Sequence, residues 1–358
     1  MGWNFTIAQG GSIGSIIAIW TIAMLYIGLV MMTTEMASIM PEAGGQYTMA
    51  KYLLGPLAAF NVGLMLTLEY TMLEAANALV VGQILESLSP EIHALPYIIL
   101  SLLFLAFMNY RGAYATLTLN FVITAVAFVS VIILLFSTNF YDPQTTLIRL
   151  KEMTNGLPYG FLGILAAMQF SIWFFLGIEG TALATDECRS ANRSLPVGTM
   201  IGLATLLIGA TITWFVCSGL LSAKTLGDSV YPLYDAALAT GKLFVTVALF
   251  VGTILACLAS ANGCINDASR AWCAMSKDTL LPGFFYIAPM HPFPAILTLV
   301  LVGASLVGMY LNYWINMVSG AVFYLLASIW FLKRRAKFID QDNFLRLGII
   351  KWGKPKQL

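Results

Sequence analysis

Between Ser171 and Thr181 the chain reads SIWFFLGIEGT, with an acid flanked by two glycines inside an otherwise apolar run. A glycine weakens a helix by about 1 kcal/mol relative to alanine, so a helix crossing this stretch is expected to break there. A broken helix at membrane depth persists only where it lines a cavity or is buried in protein. Freed backbone groups near Gly177 would then meet a solute's polar head, and the Glu179 carboxylate would attract a cation. Trp173, Phe174 and Phe175 would shield the solute's apolar part, with Ile178 beside them. The competing reading is that both glycines only let helices pack closely.

A second acidic group lies in the apolar run 56–86, where Glu69 and Glu74 sit near the middle with Tyr70 and Asn77 beside them. A charged side chain at the centre of a membrane helix costs about 3 kcal/mol on insertion scales, so such groups face the bundle interior and suggest function. Positions 70, 74, 77 and 81 share one helical face, and Glu69 points about 100° away from Tyr70. Glu74 is therefore the preferred site carboxylate, against the alternative of a glutamate bonded to a neighbouring helix. In a further long run, SANGCINDASR over 260–270 places Ser260 and Asn262 near mid-membrane. Asp267 and Arg270, three residues apart on one face, are expected to form a structural ion pair. A lone Ser171 or Thr213 is expected to bond its own helix backbone.

These residues require membrane helices to position them. With 59% apolar and 10% charged residues, the chain would expose too much apolar surface to water. A span needs about 20 apolar residues with all backbone groups paired, and the runs lack the alternation of a β-barrel. Spans are predicted near 12–39, 56–86, 95–109, 113–137, 160–185, 197–221, 242–275, 294–311 and 315–332. Residues 1–8 read as the outer end of a helix whose inner half is absent. One set of alternate loops carries Lys51, Arg111, Arg189, Arg193, Arg270, Lys277, Lys333, Arg334, Arg335 and Lys337; the other carries Arg149, Lys151, Lys224 and Lys242. The first set is therefore expected to be cytoplasmic. The spans 56–86 and 242–275 are longer than a perpendicular crossing requires. With residues 1–8 counted as the first element, each is third in a block of five, the internal symmetry of inverted-repeat transporters.

Other classes find little support. A net charge of +1 and two histidines give no basic stripe for nucleic acid and no cluster of metal-ligand spacing. Five cysteines, mostly within apolar runs, suggest no disulfide framework. The N-terminus lacks the pattern of a cleaved secretory signal. No catalytic triad, HExxH helix or phosphate-cradling loop is present, so neither an enzyme nor a cofactor is expected.

Several motifs resemble the amino acid–polyamine–organocation (APC) permeases. They are EMASIMPEAGGQY over 35–47, NYRG over 109–112, FFLGIEG over 174–180 with Asp186-Glu187, and NRSLP over 192–196. Within that superfamily the blocks Trp173–Pro196 and Ser260–Trp272, and the opening Gly2-Trp3-Asn4-Phe5, are most similar to bacterial ethanolamine permeases, over residues 2–335.

The resemblance implies an all-α, leucine-transporter-type bundle of five-plus-five inverted repeats, about 1–137 and 160–335, here lacking the inner half of helix 1 and helices 11 and 12. Residues 336–358 are expected to form a polar cytoplasmic tail resembling no permease helix. The resemblance further implies a multi-pass transporter of the cytoplasmic (inner) membrane, working by alternating access with a proton as coupling ion. Its cargo would be ethanolamine or a related small amine, held by Phe174, Phe175, Gly177, Ile178, Glu179, Tyr70, Glu74 and Asn262. Two alternatives stand beside this: an amino acid permease of the same fold, and a truncated, non-transporting remnant. The span 113–137 has no lysine, the residue some relatives use there for ion coupling.

Overall fold

The computed structural model describes residues 2–40, 44–138, 157–188, 190–229, 231–278 and 325–333, with residues 318 and 322. Every regular element among them is helical. Helices α1 (Asn4–Ile39), α3 (Pro56–Leu88), α5 (Ala113–Ser137), α7 (Ala191–Leu220) and α10 (Leu243–Lys277) are joined by shorter α2 (Gln46–Leu54), α4 (Ala94–Tyr110), α6 (Gly160–Ser171), α8 (Ala223–Asp228) and α9 (Pro232–Ala239). Among the described residues six stretches are long and apolar enough to cross a membrane, one running from Gly160 to Thr185. Residues 4–8, expected as the outer end of a helix, are helical and lie before a kink within α1. Gly11 interrupts that helix with φ +66°, a conformation glycine adopts without a steric penalty. The predicted spans 294–311 and 315–332 lie outside the described residues, apart from residues 318 and 322 and the helical stretch from 325.

Large apolar side chains point outward where lipid would meet them: Phe121 is 77% exposed, Phe136 69% and Leu162 75%. Hydroxyls within the spans fold back on their own helices. Thr34 donates to Val30 O at 2.6 Å, Thr71 to Thr67 O at 2.6 Å and Ser171 to Ala167 O at 3.0 Å, the last as expected from sequence.

The chain divides into two compact units. The first comprises Met1–Thr34, Leu117–Glu179 and Pro196–Ala259. Its core gathers Ile7, Ile19, Ile22 and Tyr26 of α1 with Phe175, Ile178, Leu203 and Trp214. Asn4, almost wholly buried, donates to Leu226 O at 3.0 Å and Ser229 O at 3.1 Å, tying the start of α1 to the C-terminal end of α8.

The second unit comprises Glu35–Thr116, Gly180–Leu195 and Ser260–Leu358. Its core joins Tyr47, Phe60, Leu64 and Tyr70 to Leu183, Cys264, Met275 and Phe331. Glycine permits a close approach here: a Cβ on Gly63 would lie 2.5 Å from Met275 Sδ and 2.9 Å from Tyr47 Cδ2. At the end of α10, Asp278 accepts from Tyr47 Oη at 2.7 Å and from Lys51 Nζ at 2.8 Å, fixing α2. Lys51 is only 5% exposed and Asp278 21%.

Removing one partner of a buried pair leaves the other uncompensated. Lys51→Met is therefore expected to lower stability by about 2 kcal/mol, less than a fully dry pair would lose. Thermal unfolding in detergent measures this, and adding Asp278→Asn is expected to recover part of the loss.

Candidate functional site

In the first unit α6 stops at Ser171, a short 3-10 turn covers Ile172–Phe174, and Gly177 turns the chain with φ +94°. A second 3-10 segment then runs from Ile178 to Glu187. The break falls at the first of the two glycines flagged by the sequence. Both carboxylate oxygens of Glu179 accept from the Gly177 N–H, each at 3.1 Å. The freed amide is thus occupied by the neighbouring acid, whereas the sequence reading expected it to be open to a solute. Glu179 itself is half-buried. A carboxylate at a helix break attracts a cation.

The surrounding aromatics divide by depth. Phe175 is fully buried and packs on Tyr26 with ring centroids 5.5 Å apart, while Phe174 is partly exposed and meets Trp3 at 5.5 Å. Ile178 is 7% exposed. Trp173 covers Gly2, where a Cβ would come within 2.8 Å of its ring.

The break in α1 belongs to the same unit and was not foreseen. A Cβ on Gly10 would lie 2.9 Å from Ala167 Cβ, and one on Gly163 3.0 Å from Gln9 O, so α1 and α6 meet backbone to backbone. Beyond the break, Ser12 O accepts from Trp214 Nε1 at 2.8 Å and Ser15 Oγ at 3.0 Å. The signal was the pair Gly10-Gly11 followed by Ser12.

The second unit holds the other three candidates. Tyr70, Glu74 and Val81 are buried on one face of α3, as the helical spacing predicts. On the same face Asn77 Nδ2 donates to Ser260 Oγ at 2.9 Å. Seven residues away on both helices, Tyr70 and Asp267 converge on Gly180. Helices α3 and α10 therefore run antiparallel, with Glu74 between these two crossings. Glu74 has no exposed surface, and among the described residues neither of its carboxylate oxygens has a hydrogen-bond partner.

Asn262, also fully buried, accepts from Asn109 Nδ2 at 2.6 Å and donates to Thr116 O at 3.3 Å. Both ends of its amide thus engage residues flanking the α4–α5 turn. The expected Asp267–Arg270 pair is corrected: the ion pair made by Arg270 is with Glu187, at 2.5 Å. The long guanidinium reaches across to the 3-10 segment, while Asp267 sits under Gly180.

The amino acid permease family matches the chain over residues 1–355, past residue 335 where the motif resemblance ends. An uncharacterized transporter of Rhizobium meliloti (strain 1021) is 40% identical over 428 aligned positions, covering 99% of this chain and 91% of that protein. The vacuolar cationic amino acid transporter 4 of Arabidopsis thaliana is 25% identical across 75% of this chain and 47% of its own length. The methylthioribose transporter of Bacillus subtilis (strain 168) is 25% identical across 72% of this chain and 58% of its own. The chain thus spans about half the length of these two relatives with named cargo.

A buried carboxyl without donors weakens the fold that contains it. Glu74→Met, of similar volume, is expected to raise stability by about 1–3 kcal/mol. Thermal unfolding in detergent measures it; a fall of that size would show that the carboxyl is held by bonds the fold needs.

Proposed function

The chain belongs to the amino acid permease family, and we propose that it imports ethanolamine or a related small amine by alternating access, coupled to protons. It is a transporter, a multi-pass protein of the cytoplasmic membrane. The observation that carries the cargo assignment is Glu179, a half-buried carboxylate pinned to the Gly177 N–H at a helix break. A small ammonium is attracted by this carboxylate and donates charge-assisted hydrogen bonds to it. Phe174, Gly177 and Ile178 give this position apolar walls and a bare backbone; Phe175 supports it from the core.

Within the second unit we assign Tyr70, Glu74 and Asn262 to the same transport cycle. Glu74 needs a donor, which an ammonium or a coupling proton provides, and Asn262 frames that face. An amine without a carboxylate suits a position beside a buried acid better than an amino acid does, because a substrate carboxylate would be repelled. The relatives named for cationic amino acids and for methylthioribose make those compounds the appropriate competitors.

The experiment is uptake of radiolabelled ethanolamine in a strain lacking its own carrier, with lysine, leucine and methylthioribose as competitors. Saturable uptake that these compounds do not suppress is expected. Glu179→Gln is expected to lower uptake at least about tenfold, the loss that goes with one charge-assisted bond, at unchanged protein level in the membrane. Unaltered uptake by this variant would remove Glu179 from the site, and displacement of ethanolamine by lysine would change the cargo to an amino acid.

A further inference from the structure

Residues 178–187 form a 3-10 helix ten residues long. Such helices rarely exceed four residues, because their hydrogen bonds are bent and side chains three apart eclipse. Something outside the segment must therefore keep it from relaxing to an α-helix, and helix α10 supplies fixings at three positions. At Gly180, a Cβ would run into the Asp267 carboxylate and lie 3.3 Å from Tyr70 Oη, so only a glycine backbone fits against α10. One turn later Arg270 Nη1 donates to Leu183 O at 3.2 Å. At the far end Arg270 Nη2 holds the Glu187 carboxylate at 2.5 Å. The same guanidinium is steadied by its Nε, which donates to Asn266 Oδ1 at 3.2 Å, and Asn266 in turn donates to Asp267 Oδ1 at 3.2 Å. Leu183 is fully buried, with the Gly45 backbone close against it.

The spacing of these fixings depends on the winding. Seven residues, from Gly180 to Glu187, rise about 14 Å in a 3-10 helix and about 10.5 Å in an α-helix. Relaxation would draw the two ends together by about 3.5 Å, more than the hydrogen bonds of Arg270 can stretch. Either the Glu187 pair opens or Gly180 leaves Asp267. Glu179 shares a peptide bond with Gly180, so a shift of Gly180 passes directly to the carboxylate.

We propose that Asp267 and Arg270 are positioning residues for transport, holding residues 180–187 in their extended winding and thereby setting where Glu179 is presented. This rests on Glu179 being the amine ligand. Lysine cannot replace arginine here, because a single ammonium on a flexible stem lacks the planar fork that reaches three acceptors.

The test compares the full chain with Arg270→Lys. Hydrogen–deuterium exchange is followed over residues 178–187, and ethanolamine uptake is measured against concentration. Exchange at 178–187 is expected to quicken about tenfold while α3 keeps its protection. The half-saturating concentration is expected to rise about tenfold, with the maximal rate per folded molecule retained. Unchanged exchange overturns the proposal. So does faster exchange with an unchanged half-saturating concentration, or a loss of maximal rate alone, which is what a purely fold-holding residue would give. If the wild-type chain takes up no ethanolamine, the amine reading fails separately, and exchange decides whether Arg270 holds the segment. Should Arg270→Lys not fold, Glu187→Gln, which keeps the shape and removes the charge that Arg270 holds, gives the same two readouts.

Discussion

In hydrocarbon no water is at hand for a backbone amide, so each interruption of a helix must find its partner within the protein. Both breaks in the first unit obey this. At Gly177 the released N–H is taken by the Glu179 carboxylate two residues on; past Gly11 the Ser12 carbonyl is taken by the indole of Trp214 and the hydroxyl of Ser15. One break uses an acid and the other a neutral donor. The acid satisfies the backbone and brings a carboxylate to the break, which makes a structural necessity usable for binding.

The second unit meets the same constraint differently. Its helix α3 and the part of α10 from Ser260 onward are continuous, so the polar groups they bury are side chains, several of them paired with one another or with neighbouring elements. Asn77 meets Ser260, Asn109 meets Asn262, and Arg270 meets Glu187. Against that background Glu74 stands apart, buried with two oxygens and no donor among the described residues. The free energy forgone by burying such a group is of the size that a bound cation returns, which is why a destabilising residue is compatible with a working carrier.

Much of this was legible in the residues. The bounds of α3, α5 and α10 fall within two residues of the sequence reading, because long apolar runs with polar ends admit little else. The break at Gly177 was legible because two glycines bracket an acid. Gly10-Gly11 was not, since paired glycines equally suit tight helix packing, and the contact with Ala167 and Gln9 that distinguishes the two needs α6 in place. The partner of Arg270 lay 83 residues away, beyond any rule of helical spacing, so the nearer Asp267 was the natural but incorrect choice. Helix α2 escaped notice because nine residues carry too short a pattern to separate from a loop. Its anchor, Asp278, lies 231 residues beyond Tyr47.

The buried amide of Asn262 has a consequence for biosynthesis. Its partners, Asn109 and the Thr116 carbonyl, precede it by 153 and 146 residues. At about 5–20 residues per second, ribosomes need roughly 7–30 seconds to bring it out. Asn4 waits longer still, its acceptor Leu226 lying 222 residues downstream. During that interval α1, α4 and α5 are already entering the bilayer with polar groups unmet, so the insertion machinery, lipid headgroups or trapped water must shelter them. For this chain the vulnerable moment is during synthesis, before the last partners emerge, and variants at Asn4 or Asn262 are expected to fail there as insertion-stage losses to quality control.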